Sequence, residues 1–325
     1  SDSKITIIDK EKNLGVHASG RNSGVLHAGF YYSDNSLKAK LCRNGNNYWH
    51  SYCLEKKLKI NQCGKLVIAR NEGEIDRLDE LYRQGQKNGV ELELITEKQA
   101  KEIEPNINTF VRALFSPTTA TIDPHEILAS ISKDVLNANI EIIYNRKFLK
   151  KLENIIITNN GRFEPGYLIN ASGLYADVIA REYDFSREYK ILPFKGLYLH
   201  AKNDALKLRT NVYPVPDLEN PFLGVHFTVT VDNETMIGPT AIPAFWRENY
   251  SNLNNFNLNE FLEIISLESS LFINNNFGFR GLALREIKKY SKKKLIKIAG
   301  SLLKNINLNN FSCARHWQCP LVCGD

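Results

Sequence analysis

Read for strand alternation and helical period, the chain separates into two kinds of layer. Residues 4–9, KITIID, form a short β-branched run closing on an acid, the pattern of a buried parallel strand. Residues 36–55 carry Leu37, Leu41, Tyr48 and Tyr52 at helical spacing on one face. GKLVIAR at 64–70 predicts a strand, and residues 72–89 predict an amphipathic helix stopped near Gly89. A short helix follows over 96–104, with Thr96 as cap and Pro105 as stop; another opens at Asp123 and Pro124. Strands are expected at 141–144, 148–152 and 155–158, the last running into NNGR, a hairpin signal. YLINASGLYADVIAREY, 167–183, reads as strand, small-residue turn and helix. Residues 192–238 alternate and are rich in Pro, Val, Phe and Thr, which predicts an antiparallel sheet; 257–309 predict Lys- and Asn-rich helices.

This order assigns 1–60 and 123–188 to a doubly wound α/β layer and 61–122 and 189–311 to a mixed sheet with helices. Residues 312–325 stand apart, and no internal repeat is found. A length of 325 residues suits two domains, and 43% hydrophobic with 24% charged residues is the balance of a globular protein. No apolar run approaches the roughly 18 residues of a membrane span, and no export signal opens the chain. A cytoplasmic location is therefore the expectation, with peripheral contact at the inner membrane left open. The six cysteines are expected as free thiols, and the net charge of +6 weakly favours an anionic substrate without calling for nucleic acid. The lysine run at 288–297 reads as a solvated helix face.

Three places carry candidate chemistry. Asp9 ends the first strand, where a carboxylate can accept from both hydroxyls of a ribose; the plainer reading is a surface acid, and no G-x-G-x-x-G precedes it. Asn170-Ala-Ser-Gly173 delivers a strand into a helix through small residues, leaving backbone N–H groups approachable by a flat or anionic ligand; it would also serve as a tight connection. GRNSGVLHAGFYY, 20–32, combines glycines, hydrogen-bonding side chains and tyrosines. If Asp9 and Gly173 line one dinucleotide, then Arg21, Asn22, Ser23 and Gly24 fall along its pyrophosphate and ring system, and His27 is carried toward the reacting end.

Several stretches together resemble one family: ITIIDKE, GRNSGVLHAGFYYSDNSLKAKLC, CGKLVIA, NASGLYAD, LPFKGLY, VYPVPDLENPFLGVHFT and IGPTAIPAFWRENY, in order along the chain. They are similar to L-2-hydroxyglutarate dehydrogenase/oxidase, flavoproteins of the D-amino-acid-oxidase superfamily. The resemblance implies FAD, a glutathione-reductase-like FAD-binding Rossmann domain, incomplete in this α/β chain, and a second, mixed antiparallel-sheet substrate domain. It places Asp9 at the adenosine ribose, Arg21 to Val25 along the pyrophosphate and flavin, and Ser172 and Gly173 at backbone contacts. His27 falls beside the flavin ring. The implied substrate is a small 2-hydroxy dicarboxylate, and its oxidation needs a base, a hydride acceptor and donors for two carboxylates. Lys195, Tyr213 and His226 are expected on the sheet facing the flavin, with His226 or His27 as base and Lys195 and Tyr213 on carboxylate; the electron acceptor stays open between oxygen, a quinone and a carrier protein. A related amine or glycerol-3-phosphate oxidase, or a non-catalytic remnant of the same fold, are the alternatives.

The family's first strand and glycine loop, and its flavin-capping closing segment, have no counterpart in this sequence. The expectation is therefore weak FAD binding by the chain as given. The ending FSCARHWQCPLVCGD holds Cys313, His316, Cys319 and Cys323, but its spacing fits no standard zinc pattern. No metal is expected, and the abrupt change of composition suits an altered reading frame.

Overall fold

The computed structural model describes residues 4–201, 206–217, 224–304 and 311–313. Its centre is an eight-stranded sheet. Across it the strands run Phe311–Cys313, Leu199–Ala201, Thr235–Gly238, His226–Val229, Asn211–Pro214, Lys65–Ile68, Arg112–Ser116 and Glu93–Thr96. Every neighbouring pair is antiparallel except Asn211–Pro214 on Lys65–Ile68, which is parallel. The antiparallel reading of 192–238 thus holds inside that stretch, while the parallel joint ties it to a strand far earlier in the chain.

The middle strands are covered on both faces, so each of their residues is buried and their sequence runs apolar instead of alternating. On one face the helix Lys292–Ala299 packs Leu295, Ile296 and Ala299 against Leu66, Ile68, Phe227 and Ile237. Its lysines Lys292, Lys293, Lys294 and Lys297 stay exposed, as the sequence implied. On the other face the helix Ile75–Lys87 sets Leu78 and Leu81 on Val67, Leu114 and Tyr213, together with Phe30. Each fully buried leucine of this kind contributes about 2 kcal/mol. This second face holds the candidate chemistry.

Smaller ladders flank the sheet. Thr6–Ile8 pairs in parallel with Glu141–Ile143. Val25–Leu26 and Ile60–Asn61 flank Ala120–Ile122, both antiparallel. The strands Phe148–Leu152, Ile155–Thr158 and Arg162–Phe163 form an antiparallel meander, with Gly161 at φ +100° in the predicted turn. The predicted caps are formed: Thr96 and Gln99 make a reciprocal capping box, and the Asp123 carboxylate accepts from the His125 N–H with Pro124 behind it.

Two expectations are corrected. Residues 167–171 are no strand; no described residue pairs with them, and Tyr167 and Ile169 lie 84% and 79% exposed. Without a ladder partner the backbone turns on side chains instead: Asn170 Nδ2 donates to the Ala176 carbonyl at 2.8 Å and Oδ1 accepts from Ser172 Oγ at 2.7 Å. The turn leads into a 3-10 helix, Gly173–Tyr175, and the helix Ala176–Glu182. The second correction concerns the helix Leu37–Lys56, whose Leu37, Leu41 and Tyr48 are exposed. Of the expected face only Tyr52 is buried; with it the helix turns inward Ala39, Asn46 and Cys53, and Asn46 Nδ2 donates to the carbonyls of Leu26 and Thr118, both at 3.0 Å. Cys42, Cys53 and Cys63 are free thiols. Among the described residues no helix is long and apolar enough to cross a membrane. Ser312 and Cys313 belong to the edge strand of the large sheet, so the expected boundary at 312 falls within that strand; residues 314–325, with His316, Cys319 and Cys323, lie outside the described residues.

Candidate functional site

The first group gathers where the strand Thr6–Ile8 ends. Asp9 stands there half-buried, one carboxylate oxygen accepting from the Glu11 N–H at 2.8 Å. Next to it, Lys10 lies 5.4 Å from the ring centre of Tyr175 and pairs with Glu248 at 2.6 Å and with Glu11. His17 bridges Glu11 at 3.0 Å and the Tyr250 hydroxyl at 2.5 Å, and the Arg21 guanidinium lies over the Tyr250 ring at 4.0 Å. The segment 246–250 is thus the hub that joins Asp9–Glu11, 17–21 and 173–175. Glu11, His17 and Glu248 have donor atoms within 4.8 Å of one another, and Lys10 supplies positive charge among them. Burial pushes both carboxyls up, but hydrogen bonds from Lys10 and further partners hold them below the ordinary range.

Within 21–25 the side chains serve the turn itself. Asn22 donates to the carbonyls of Ala18 and Ser19 and accepts from the Gly24 N–H. Ser23 is half-buried and Val25 begins the strand beside Thr121. Gly24, at φ +71°, passes so close to the strand Ala120–Ile122 that a Cβ would stand 2.1 Å from the Ile122 oxygen. Chain packing already demands this glycine. Gly173 differs: it is exposed at φ +55°, no atom of the described residues beyond its chain neighbours lies within 4 Å of where a Cβ would be, and Ser172 beside it is half-buried.

The second group lies on the face of the large sheet. The Tyr213 ring stacks on His226, with centroids 3.7 Å apart, and meets His27 edge-on at 6.4 Å. Between them sits a residue that sequence reasoning missed, Lys65. Its side chain is fully buried, its Nζ lies 3.3 Å from His27 Nδ1, and the ring centres of Tyr213, Tyr31 and Phe30 are at 4.6, 4.9 and 5.0 Å. Burial lowers the Lys65 ammonium to about 7, only partly offset by Cys42 and Cys63. Burial and then the charge of Lys65 push His27 well below its ordinary value. His226, whose Nδ1 contacts the Gly224 carbonyl at 2.7 Å, is lowered by burial to about 3. Both imidazoles are therefore neutral at pH 7. The Tyr31 hydroxyl is buried without a partner among the described residues.

Lys195 is not brought into this group. It lies in a separate two-stranded ladder, Phe194–Lys195 on Ile242–Pro243, and its Nζ donates to Asn249 Oδ1 at 2.8 Å. The expectation of one sheet for Lys195, Tyr213 and His226 is corrected accordingly: Phe194 and Lys195 find their ladder partner in Ile242–Pro243, outside the large sheet. Burial lowers the Lys195 ammonium. A second residue the sequence did not reveal is Arg247, whose buried guanidinium binds Asp177 at 2.7 and 2.9 Å and also reaches the Leu174 carbonyl. It fastens the 173–177 turn to the hub.

An acid ends a parallel strand of the α/β layer, and a large mixed sheet encloses His226 and Lys65 beside His27; the comparisons with known proteins give the class to which this build belongs. In fold the chain is similar to L-alpha-glycerophosphate oxidase from Mycoplasma pneumoniae, solved with FAD bound, at a TM-score of 0.75 and 22% identity over 98% of this chain and 77% of that one. The model for FAD dependent oxidoreductases matches residues 1–272. The mitochondrial L-2-hydroxyglutarate dehydrogenase of Nematostella vectensis is 35% identical over 315 residues, 87% of this chain and 69% of that protein. The human enzyme is 36% identical over 80% of this chain and 60% of its own length, and one from Escherichia coli 34% identical over 81% and 64%. The chain belongs to the FAD-dependent oxidoreductases, among the L-2-hydroxyglutarate dehydrogenases. It spans 60% to 69% of the length of these three relatives.

FAD is the cofactor of this family, and the residues present fit it. Asp9 offers a half-exposed carboxylate at a strand terminus, and the open ground over Gly173 leaves its backbone approachable. On the face of the large sheet, the Tyr31 hydroxyl, without a partner among the described residues, and Lys65, in contact with His27, provide further polar groups.

Proposed function

We propose that the protein oxidises L-2-hydroxyglutarate to 2-oxoglutarate with FAD. The observation that carries this is sequence identity of 34–36% to three dehydrogenases named for that substrate, over 80% to 87% of this chain. FAD supplies the acceptor for the hydride leaving the α-carbon.

His27 is the base in this reading. It is half-buried and neutral, and its Nε2 has no partner among the described residues, whereas His226 is sealed and held at about 3 by burial. Tyr213 backs the histidines, and Lys195, already fixed by Asn249, is the cation for a substrate carboxylate. Asp9 holds the adenosine ribose, residues 21–25 follow the pyrophosphate by their backbone, and Ser172 with Gly173 makes backbone contacts. Residues 1–60 and 123–188 form the cofactor part, and 61–122 with 189–311 the substrate part.

The test is a substrate panel with an artificial electron acceptor on the flavin-loaded protein. Turnover of L-2-hydroxyglutarate above glycerol 3-phosphate and amino acids is expected. Preference for either of the others would replace the reading with that of a related oxidase.

A further inference from the structure

Lys65 is hard to explain as a structural residue. A buried ammonium without a counter-anion costs several kcal/mol, and no carboxylate pairs with Lys65 among the described residues. Among the described residues its one hydrogen-bonding partner is a nitrogen of His27, at 3.3 Å. A contact between these two nitrogens holds one proton between them, so the state of Lys65 sets the tautomer of a neutral His27. As an ammonium, Lys65 donates to Nδ1, and the imidazole proton must sit on Nε2, making that nitrogen a donor. As an amine, Lys65 accepts from Nδ1–H, and Nε2 becomes a bare lone pair, the form a base requires.

We propose that Lys65 is a positioning residue and proton sink in a His27–Lys65 relay: His27 Nε2 takes the substrate hydroxyl proton while the Nδ1 proton passes to Lys65 Nζ. This deepens the function proposed above and rests on His27 being the base. The substrate O–H breaks as Nε2–H forms, and Nδ1–H breaks as the third Nζ–H forms. The α-hydrogen leaves with its electron pair to the flavin, and the C–O bond becomes a carbonyl. The pair ends as a neutral imidazole and an ammonium, so no buried histidinium is ever formed.

The groups facing the pair come from several elements. The helix Leu37–Lys56 presents Cys42 and the cation of Lys38; Cys63 precedes the lysine's own strand; Tyr31, Tyr213 and His226 close the remaining sides. Burial holds both thiols and both phenols above their ordinary values and His226 at about 3. Of these, Lys65, lowered by burial to about 7, is the one that changes charge near neutral pH.

The test uses the full chain labelled with 15N-histidine, in long-range proton–nitrogen spectra from about pH 5.5 to 8.5, with His27→Gln to identify the His27 signals. The native protein is expected to move from the Nε2–H to the Nδ1–H tautomer with a midpoint near 7, and Lys65→Met to hold one tautomer throughout. A single His27 tautomer across the range in the native protein, or the same transition in Lys65→Met, would overturn the relay. In the flavin-loaded enzyme, Lys65→Met should lower kcat for L-2-hydroxyglutarate about 100-fold and remove the acidic limb of its pH profile. A variant that keeps that limb also overturns it. The tautomer transition without any turnover of L-2-hydroxyglutarate supports the pair and sinks the substrate reading alone.

Discussion

The ring of Tyr213 lies flat on that of His226, 3.7 Å between centroids and 17° between planes, on adjacent strands of the large sheet. Burial there lowers His226 from 6.5 to about 3. Between those values the unfolded chain binds a proton that the folded protein refuses, so stability is complete above pH 6.5 and falls as the pH drops toward about 3. His226→Phe keeps an aromatic stack but cannot titrate. Its urea midpoint should therefore decline less than that of the native protein between pH 6.5 and about 4. Parallel declines would show that His226 contributes nothing to the acid sensitivity.

Arg247 and Asp177 are 3% and 4% exposed and joined by two hydrogen bonds. Removing Asp177 leaves the buried Arg247 guanidinium without its paired carboxylate, and removing Arg247 leaves Asp177 only the half-exposed Arg181 at 3.2 Å, at a cost of about 3–5 kcal/mol. Arg247→Ala and Asp177→Ala should each lose that much in a urea titration, and the double variant much less than the sum. Arg247→Lys should recover only part of the loss, since an ammonium cannot make the paired contact. Additive losses would mean that the two residues are not coupled.

Gly24 and Gly173 share a left-handed backbone but differ in surroundings. A methyl at Gly24 meets the Ile122 oxygen, so Gly24→Ala should unfold the protein or displace the strand pair at 25–26. At Gly173 a methyl meets nothing, and the backbone penalty is about 1–2 kcal/mol. Gly173→Ala should therefore fold, with its change appearing in flavin content after reconstitution. Equal stability losses in the two variants would refute the distinction.

Local chemistry was legible in the sequence where neighbouring residues decide it. The Thr96–Gln99 box, the Asp123–Pro124 start and the turn at Gly161 each depend on contacts within a few residues, and each is formed. Structure that depends on a distant partner was not. Residues 167–171 have strand-like composition but no ladder to join, and the helix at 37 is oriented by Asn46 reaching Leu26 and Thr118. The sequence marks His27, Tyr213 and His226, which do meet, and groups Lys195 with Tyr213 and His226, from which the fold separates it. Lys65 escaped notice because a lysine opening a strand ordinarily reaches solvent. Here the parallel pairing with Asn211, some 146 positions on by its number, covers it. The signal available was the run KLVI with no alternation, which marks a strand enclosed on both faces.

Enclosure of Lys65 also has a cost that can be measured without substrate or flavin. Its folded value of about 7 lies below the 10.5 of an exposed lysine. Between the two the unfolded chain holds the extra proton, so stability rises with pH from about 7 to 10.5, and the burial penalty is complete below about 7. Lys65→Met fills similar volume with no charge to desolvate. At pH 6 it should be more stable than the native protein by about 1–4 kcal/mol, and the advantage should shrink steadily as the pH is raised toward 10. Urea titrations of both proteins across that range decide the matter. An advantage that does not vary with pH would mean that packing, and not the lysine's proton, accounts for it; a loss of stability at pH 6 would mean that an anion neutralises Lys65 in the folded protein.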